Sequence, residues 1–323
     1  MSFMRTVTVA LTGAAGIYGG LVLYREYFVK AQYTGNEQLF GKTAIVTGAN
    51  TGIGREVAHD LARRGARVIM ACRDMKKCEE AREKIVVDSF NTNVVCRECD
   101  LASIESIKNF AEQINKDEKY LHLLINNAGV MWHPSKLTKD GFEQHLGVNY
   151  LGHFLLTNLL AEKLSKCSPS RIVNLTSSMY KRGQIDFDDL NNSKKTFNAK
   201  IAYEQAALAI VMATQEFCRQ YPNSGVTAIC VNPGITRTDI ARHTIDKSFF
   251  SRVIIGPVLK AFMKTPMQGA QAVLQCALDP KLDGQCGKYF SDMKEEPIEV
   301  NAKNEKDAKR LWLISERWTR LTK

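Results

Sequence analysis

From Lys42 onward, short apolar runs alternate with helix-length stretches, and that alternation leaves few folds open. Residues 43–47 (TAIVT), 67–71 (RVIMA), 93–99 (NVVCREC), 121–125 (LHLLI), 171–175 (RIVNL) and 227–231 (TAICV) read as strands, with 288–290 a candidate seventh. Residues 53–64, 76–87, 104–114, 142–164 and 202–219 read as helices. Strands joined by stretches that long do not pair as hairpins. They call for right-handed βαβ crossovers and a parallel sheet covered on both faces. The expected fold class is therefore α/β, a doubly wound sheet in a single domain over residues 38–310. No internal repeat, low-complexity stretch or interdomain linker interrupts it.

Between the first strand and the first helix lies Thr47-Gly48-Ala49-Asn50-Thr51-Gly52-Ile53-Gly54. Glycines here let the backbone turn tightly and approach a pyrophosphate, while the helix N-terminus behind them offers unpaired N–H groups and partial positive charge. Gly48 to Gly54 thus form a candidate dinucleotide turn, and the sheet is expected to be Rossmann-type.

Ahead of the domain, residues 7–24 (VTVALTGAAGIYGGLVLY) carry no charge and are flanked by Arg5, Arg25 and Lys30. That is about the minimum length of a membrane span. Charged and bulky residues follow directly, which argues against a cleaved signal peptide. Residues 1–30, with a helix over about 7–24, are read as an uncleaved membrane anchor. Residues 311–323 are read as a C-terminal tail in which Trp312 and Trp318 mark a membrane-facing or packing helix.

The chain has 44 basic and 34 acidic residues, a net charge of +10. The basic residues are scattered, with no block or aromatic-interleaved stripe, so no nucleic-acid partner is expected. Nine cysteines argue against a full disulfide framework and for a reducing compartment. Cys96 and Cys99, three apart in a strand, point to opposite faces; they read as two packed thiols, and no metal site is expected.

Further motifs follow in a fixed order. Asp100-Leu101 ends the third strand and Asn126-Asn127-Ala128-Gly129 the fourth. Asn149 lies in a helix, Asn174-Leu175-Thr176-Ser177-Ser178 ends the fifth strand, and Tyr203 and then Asn232-Pro233-Gly234 come after it. With the glycine turn, this series resembles the short-chain dehydrogenase/reductase family across roughly residues 38–310. The runs TGANTGIG, ACRD, LLINNAGVM, HLGVNYLGHF, RIVNL and IDFDDLN resemble its retinol dehydrogenase branch. The resemblance implies that the turn (Gly48, Ala49, Asn50, Thr51, Gly52, Ile53, Gly54) and Asp100, Leu101, Asn127, Pro233 and Gly234 bind the cofactor. It implies Tyr203 as general acid/base, Ser178 as the group polarising the substrate oxygen, with Ser177 as its rival, and Asn149 as holder of a relay water.

In that family a lysine stands four residues after the tyrosine, on the same helix face. Here the position is Ala207, and none of the ten tyrosines has a lysine four residues on. A positive charge about 5 Å from a phenol, at an effective dielectric near 20, is worth roughly 3 kcal/mol, or about two pKa units. Two readings stay open: a slowed enzyme, and a pseudoenzyme that binds cofactor without turning it over.

The second strand runs into Cys72-Arg73-Asp74. Arg73 suits the 2′-phosphate of NADP(H), with Arg55 able to assist; Asp74 would instead suit the ribose hydroxyl of NAD. NADP(H) is the favoured reading. After Gly234, residues 236–266 are apolar and basic, with Phe249, Phe250, Ile254, Leu259 and Phe262 among them, and read either as a substrate lid or as a helix packed on the core. The expected partners are a lipophilic small molecule, a membrane through the N-terminus, of the endoplasmic reticulum or mitochondrion, and a second copy in a homodimer.

Overall fold

The computed structural model describes residues 16, 19, 20, 32–194, 196–236 and 263–321. The proposed anchor, apart from three helical glycines, and most of the lid region lie outside them. Among the described residues no helix is long and apolar enough to cross a membrane.

Eight strands form one sheet in the order β3-β2-β1-β4-β5-β6-β7-β8. They are β1 (Thr43–Thr47), β2 (Arg67–Cys72), β3 (Val94–Glu98), β4 (Leu123–Asn126), β5 (Ser170–Leu175), β6 (Val226–Asn232), β7 (Tyr289–Ser291) and β8 (Lys294–Glu296). All pairings are parallel except β7 with β8. Strand order reverses between β1 and β4, which opens a crevice beyond their carboxyl ends. The helices are α1 (Gly52–Arg63), α2 (Met75–Ser89), α3 (Ile104–Asp117), α4 (Gly152–Lys166), α5 (Ala199–Gln220), α6 (Pro266–Leu278) and α7 (Glu305–Trp318).

Alternation along the strands divides the core in two. Ile45, Ile69, Leu124 and Ile172 pack with Phe110 of α3, Leu155 and Leu160 of α4, Met212 of α5 and Trp312 of α7. Their neighbours Val46, Val68, Ile125 and Val173 pack on the other face with Val57 and Leu61 of α1, Ile85 of α2 and Val273 of α6. This is the period-2 pattern of a sheet buried on both sides.

Three expectations are revised. The stretch 142–164 is not one α-helix: residues His145–Leu151 are π-helical and run directly into α4. The tail is not separate, because α7 spans residue 311 and buries Leu311, Trp312 and Ser315. Trp312 meets Phe154 edge-on with ring centres 4.7 Å apart, and Trp318 stacks on Phe142 at 5.6 Å, so α7 is a packing helix. Finally, Cys96 is no packed thiol. The first turn of α2 lies over edge strand β3 and brings Cys78 within 6.1 Å of it, Cα to Cα, in a disulfide; Cys218 and Cys286 form another, and five cysteines stay free.

Candidate active site

The carboxyl ends of β1 to β6 carry most of the candidate residues, so the sheet gathers positions that span the chain from Gly48 to Gly234. After β1 the chain turns at Gly48 (φ +63°) and Gly52 (φ +57°), both in the left-handed region that glycine tolerates. At Gly54 a Cβ would lie 2.3 Å from the Asn127 Nδ2 and 2.6 Å from the Gly48 carbonyl, so no larger residue fits. The Thr51 side chain does not cap α1, and the first turn of α1 has no acidic residue. The N–H groups there are left for an anion. A cradle that excludes a Cβ and an uncapped helix start fit a pyrophosphate.

Two residues that the sequence did not single out hold this turn. Thr47 Oγ1 accepts the N–H groups of Asn127 (2.9 Å) and Ala128 (3.0 Å) and meets His153 Nε2 at 2.9 Å. The Nδ1 of His153 lies 3.0 Å from the Asn149 carbonyl and donates to it, so Nε2 is the acceptor and Thr47 the donor. The ring is neutral, its pKa pushed down to about 4 by burial. Asn127 Nδ2 donates to the Thr47 carbonyl at 2.8 Å and ties β4 to β1. Beneath the turn, the Cys72 thiol accepts from the N–H groups of Ala49 and Asn50 while burial pushes its pKa up to about 11.

Past β2, Arg73 is exposed and has no ion-pair partner among the described residues. Asp74 is occupied elsewhere: its side chain caps α2 by accepting from Lys77 N at 3.1 Å, which holds its carboxyl below the usual range. Arg55 pairs with Glu56 at 2.8 Å. Past β3, Asp100 caps its own turn through Ala102 N (3.1 Å) and faces Lys139 at 3.7 Å, and Leu101 is buried.

The catalytic candidates resolve differently. Ser177 leaves β5 in extended conformation, accepts from Met179 N at 3.2 Å, and is the serine whose side chain acts on the Tyr203 phenol. Ser178 begins the following 3-10 turn and is exposed. Of the two serines, Ser177 rather than the exposed Ser178 acts on the Tyr203 phenol. Burial raises the Tyr203 pKa, and the Ser177 side chain opposes this. Among the described residues no cation acts on the phenol. Ala207, one turn along α5, is buried, with its carbonyl accepting from Thr176 Oγ1 at 3.0 Å. The ring that meets Tyr203 edge-on is His145, at 6.0 Å between centres. Its Nε2 accepts from His133 N at 3.0 Å and its Nδ1 lies 2.6 Å from Glu143, so it is a positioning contact. A histidine beside an apolar run gave no sequence signal for this.

Asn149 stands in the π-helical segment. Its side chain forms a two-bond bracket with Val130, 2.8 Å in each direction, and holds the chain beyond β4. Pro233 is buried after β6, and Gly234 (φ +79°) donates to Asn232 Oδ1 at 3.2 Å.

A glycine-lined anion cradle at a strand-order reversal, with a serine–tyrosine pair at the same sheet edge, defines a nicotinamide-dependent oxidoreductase. The short chain dehydrogenase family model matches residues 42–248. Human retinol dehydrogenase 13 is 46% identical over 95% of this chain and 93% of its own. Bovine retinol dehydrogenase 12 is 46% identical over 90% of each chain, and human retinol dehydrogenase 11 is 47% identical over 87% of each. The chain belongs to the short-chain dehydrogenase family, in its retinol dehydrogenase branch. Among solved structures, an uncharacterised protein from Mycobacterium paratuberculosis aligns with TM-score 0.70 and 32% identity over 88% of this chain and 95% of its own. An NAD(P)-dependent gluconate 5-dehydrogenase structure from Beutenbergia cavernae with bound NADP aligns at TM-score 0.64 over 80% and 97%; at 23% identity it speaks to fold alone.

Proposed function

We propose that this protein is a membrane-associated, NADP(H)-dependent oxidoreductase of lipophilic, retinoid-like alcohols and carbonyls, slowed by alanine at position 207. The observation that carries the reading is the Ser177–Tyr203 pair at the sheet edge that also holds the glycine cradle. A bound nicotinamide would supply or accept the hydride. Gly48–Gly54, Arg73, Asp100, Leu101 and Asn127 would hold its adenosine and phosphate half, and Pro233 and Gly234 would wall its ring. Ser177 orients the substrate oxygen, and Tyr203 exchanges a proton with it. With no lysine at 207, the phenol stays protonated at neutral pH and serves reduction, where it must give a proton, better than oxidation.

Arg73, exposed and unpaired among the described residues, and Asp74, bound to its own helix, favour NADP(H) over NAD(H). Ile201 and Ile235 stand exposed within two residues of Tyr203 and Gly234, which suits a lipophilic substrate. The uncharged run 7–24 supports anchorage in an endoplasmic reticulum or mitochondrial membrane. Full-length protein released by carbonate extraction would refute that anchorage.

A second reading has its own observation. No cation acts on Tyr203 among the described residues, which suits a protein that binds NADP(H) and acts by binding. NADPH oxidation with retinal, set beside NADPH binding, separates the two: binding without turnover establishes the second and rejects the first.

A further inference from the structure

Behind the Pro233–Gly234 turn lies an ion pair that the family motifs do not include. Lys264 Nζ meets Asp292 Oδ1 at 2.5 Å. Both charged ends fill the space where a Gly234 side chain would be: a Cβ there would sit 2.5 Å from Asp292 Oδ1 and 3.2 Å from Lys264 Nζ. Gly234 is thus required twice, once for its positive φ and once so that the pair can pack on its Cα. Lys264 also grips this segment by its backbone. Its N–H donates to the Ile235 carbonyl at 2.9 Å, and it forms a parallel bridge with Thr236.

Asp292 is held for the purpose by an unusual backbone. The β7–β8 hairpin turns on Asp292 (φ +49°) and Met293 (φ +69°), two successive left-handed residues of which neither is glycine. A methionine adopts that conformation rarely. The primed turn sends the Asp292 carboxylate toward Gly234 while its N–H bonds the Asn232 carbonyl at 3.2 Å. The hairpin is thereby fastened to the end of β6 at two points.

We infer that Lys264 and Asp292 are positioning residues that fix the Pro233–Thr236 segment and, through it, the seat of the nicotinamide ring. This rests on the proposed NADP(H) site. The lysine side chain is 12% exposed and the aspartate 40%, so the pair is sheltered mainly on the lysine side, and removing the lysine charge leaves a half-exposed carboxylate against Gly234 without its ion-pair partner among the described residues.

The test compares the parent with Lys264→Met, Asp292→Asn and the conservative Lys264→Arg, each checked for folding by circular dichroism. Amide hydrogen exchange at residues 234–236, without ligand, reads the clasp directly. Titrations with NADPH and with 2′,5′-ADP, which lacks the nicotinamide half, read its consequence. Lys264→Met and Asp292→Asn are expected to speed exchange in this segment and to weaken NADPH about tenfold, with 2′,5′-ADP changed less than about twofold and Lys264→Arg restoring most of the loss. Unchanged exchange and NADPH affinity in a folded Lys264→Met would overturn the inference, as would equal losses for both ligands. A parent that binds neither ligand would overturn the cofactor reading itself.

Discussion

The Ser177 side chain, past the end of β5, lowers the pKa of the Tyr203 phenol of α5 against the raising effect of burial, while Ser178, one residue on, is exposed. Ser177→Ala is therefore expected to raise the Tyr203 pKa and to lower reductase turnover by ~100-fold. Ser178→Ala is expected to leave turnover within about twofold. Steady-state NADPH oxidation with the two variants decides between them, and the reverse ranking would return the role to Ser178.

Restoring the charge at position 207 is the direct test of what its loss costs. A lysine ammonium there would favour the ionised phenol by about two pKa units, so Ala207→Lys is expected to raise oxidation of retinol by at least ~100-fold and reduction of retinal by less. Ala206 is fully buried beside it, so Ala206→Ser is paired with the change in a double variant. A parent already as fast as its relatives would show that another group supplies the charge. Variants that bind NADPH and stay inactive would end the enzyme reading.

NADPH is expected to bind at least ~10-fold more tightly than NADH, with Arg73→Ala removing most of the difference. Asp74→Ala should disturb the start of α2 without changing the preference, because its carboxylate serves Lys77 N. Fluorescence titration measures both. Equal affinities in the parent would mean that Asp74 governs the choice.

His153 is neutral in the fold, with its pKa pushed from 6.5 down to about 4 by burial. The unfolded chain then binds more protons than the folded one between those two values. Stability is complete above about pH 6.5 and falls as pH drops toward 4, by at most about 3 kcal/mol from this residue. His122, lowered to about 4 by burial and by Lys42, adds a smaller share because it is more exposed. Urea unfolding at stepped pH is expected to show this slope, and His153→Gln to flatten it. A slope unchanged in that variant would assign the effect to other groups.

Trp312 is 2% exposed and wedged against Phe154. Trp312→Ala is expected to cost about 3–5 kcal/mol, as large aromatic truncations in cores do. Ending the chain at residue 310 should prevent stable folding. Thermal denaturation checks both; a truncated chain that melts with the parent would make α7 an appendage after all.

Local chemistry determined much of this protein. The period-2 runs and helix-length intervals specified the parallel sheet, since strands so far apart in sequence need crossovers. Glycines at 48, 52 and 54 specified the turn, since only they allow its backbone and close approach. The tyrosine and the missing lysine four residues later were legible for the same reason, a fixed spacing on one helix face. What tertiary structure decided concerns pairs whose members lie far apart in the chain or differ only in orientation. Ser177 and Ser178 have identical chemistry, and only the folded chain sets which one acts on Tyr203. His153 meets Thr47 across 106 residues, Cys78 reaches Cys96 because α2 folds over an edge strand, and β8, with the sequence Lys294-Glu295-Glu296, has no apolar signal at all. Lys264 and Asp292, 28 residues apart in the chain, meet over Gly234 only because β6 and the β7–β8 turn bring them together. Sequence records propensity and spacing along the chain; which polar atoms become neighbours is set when long-range packing closes.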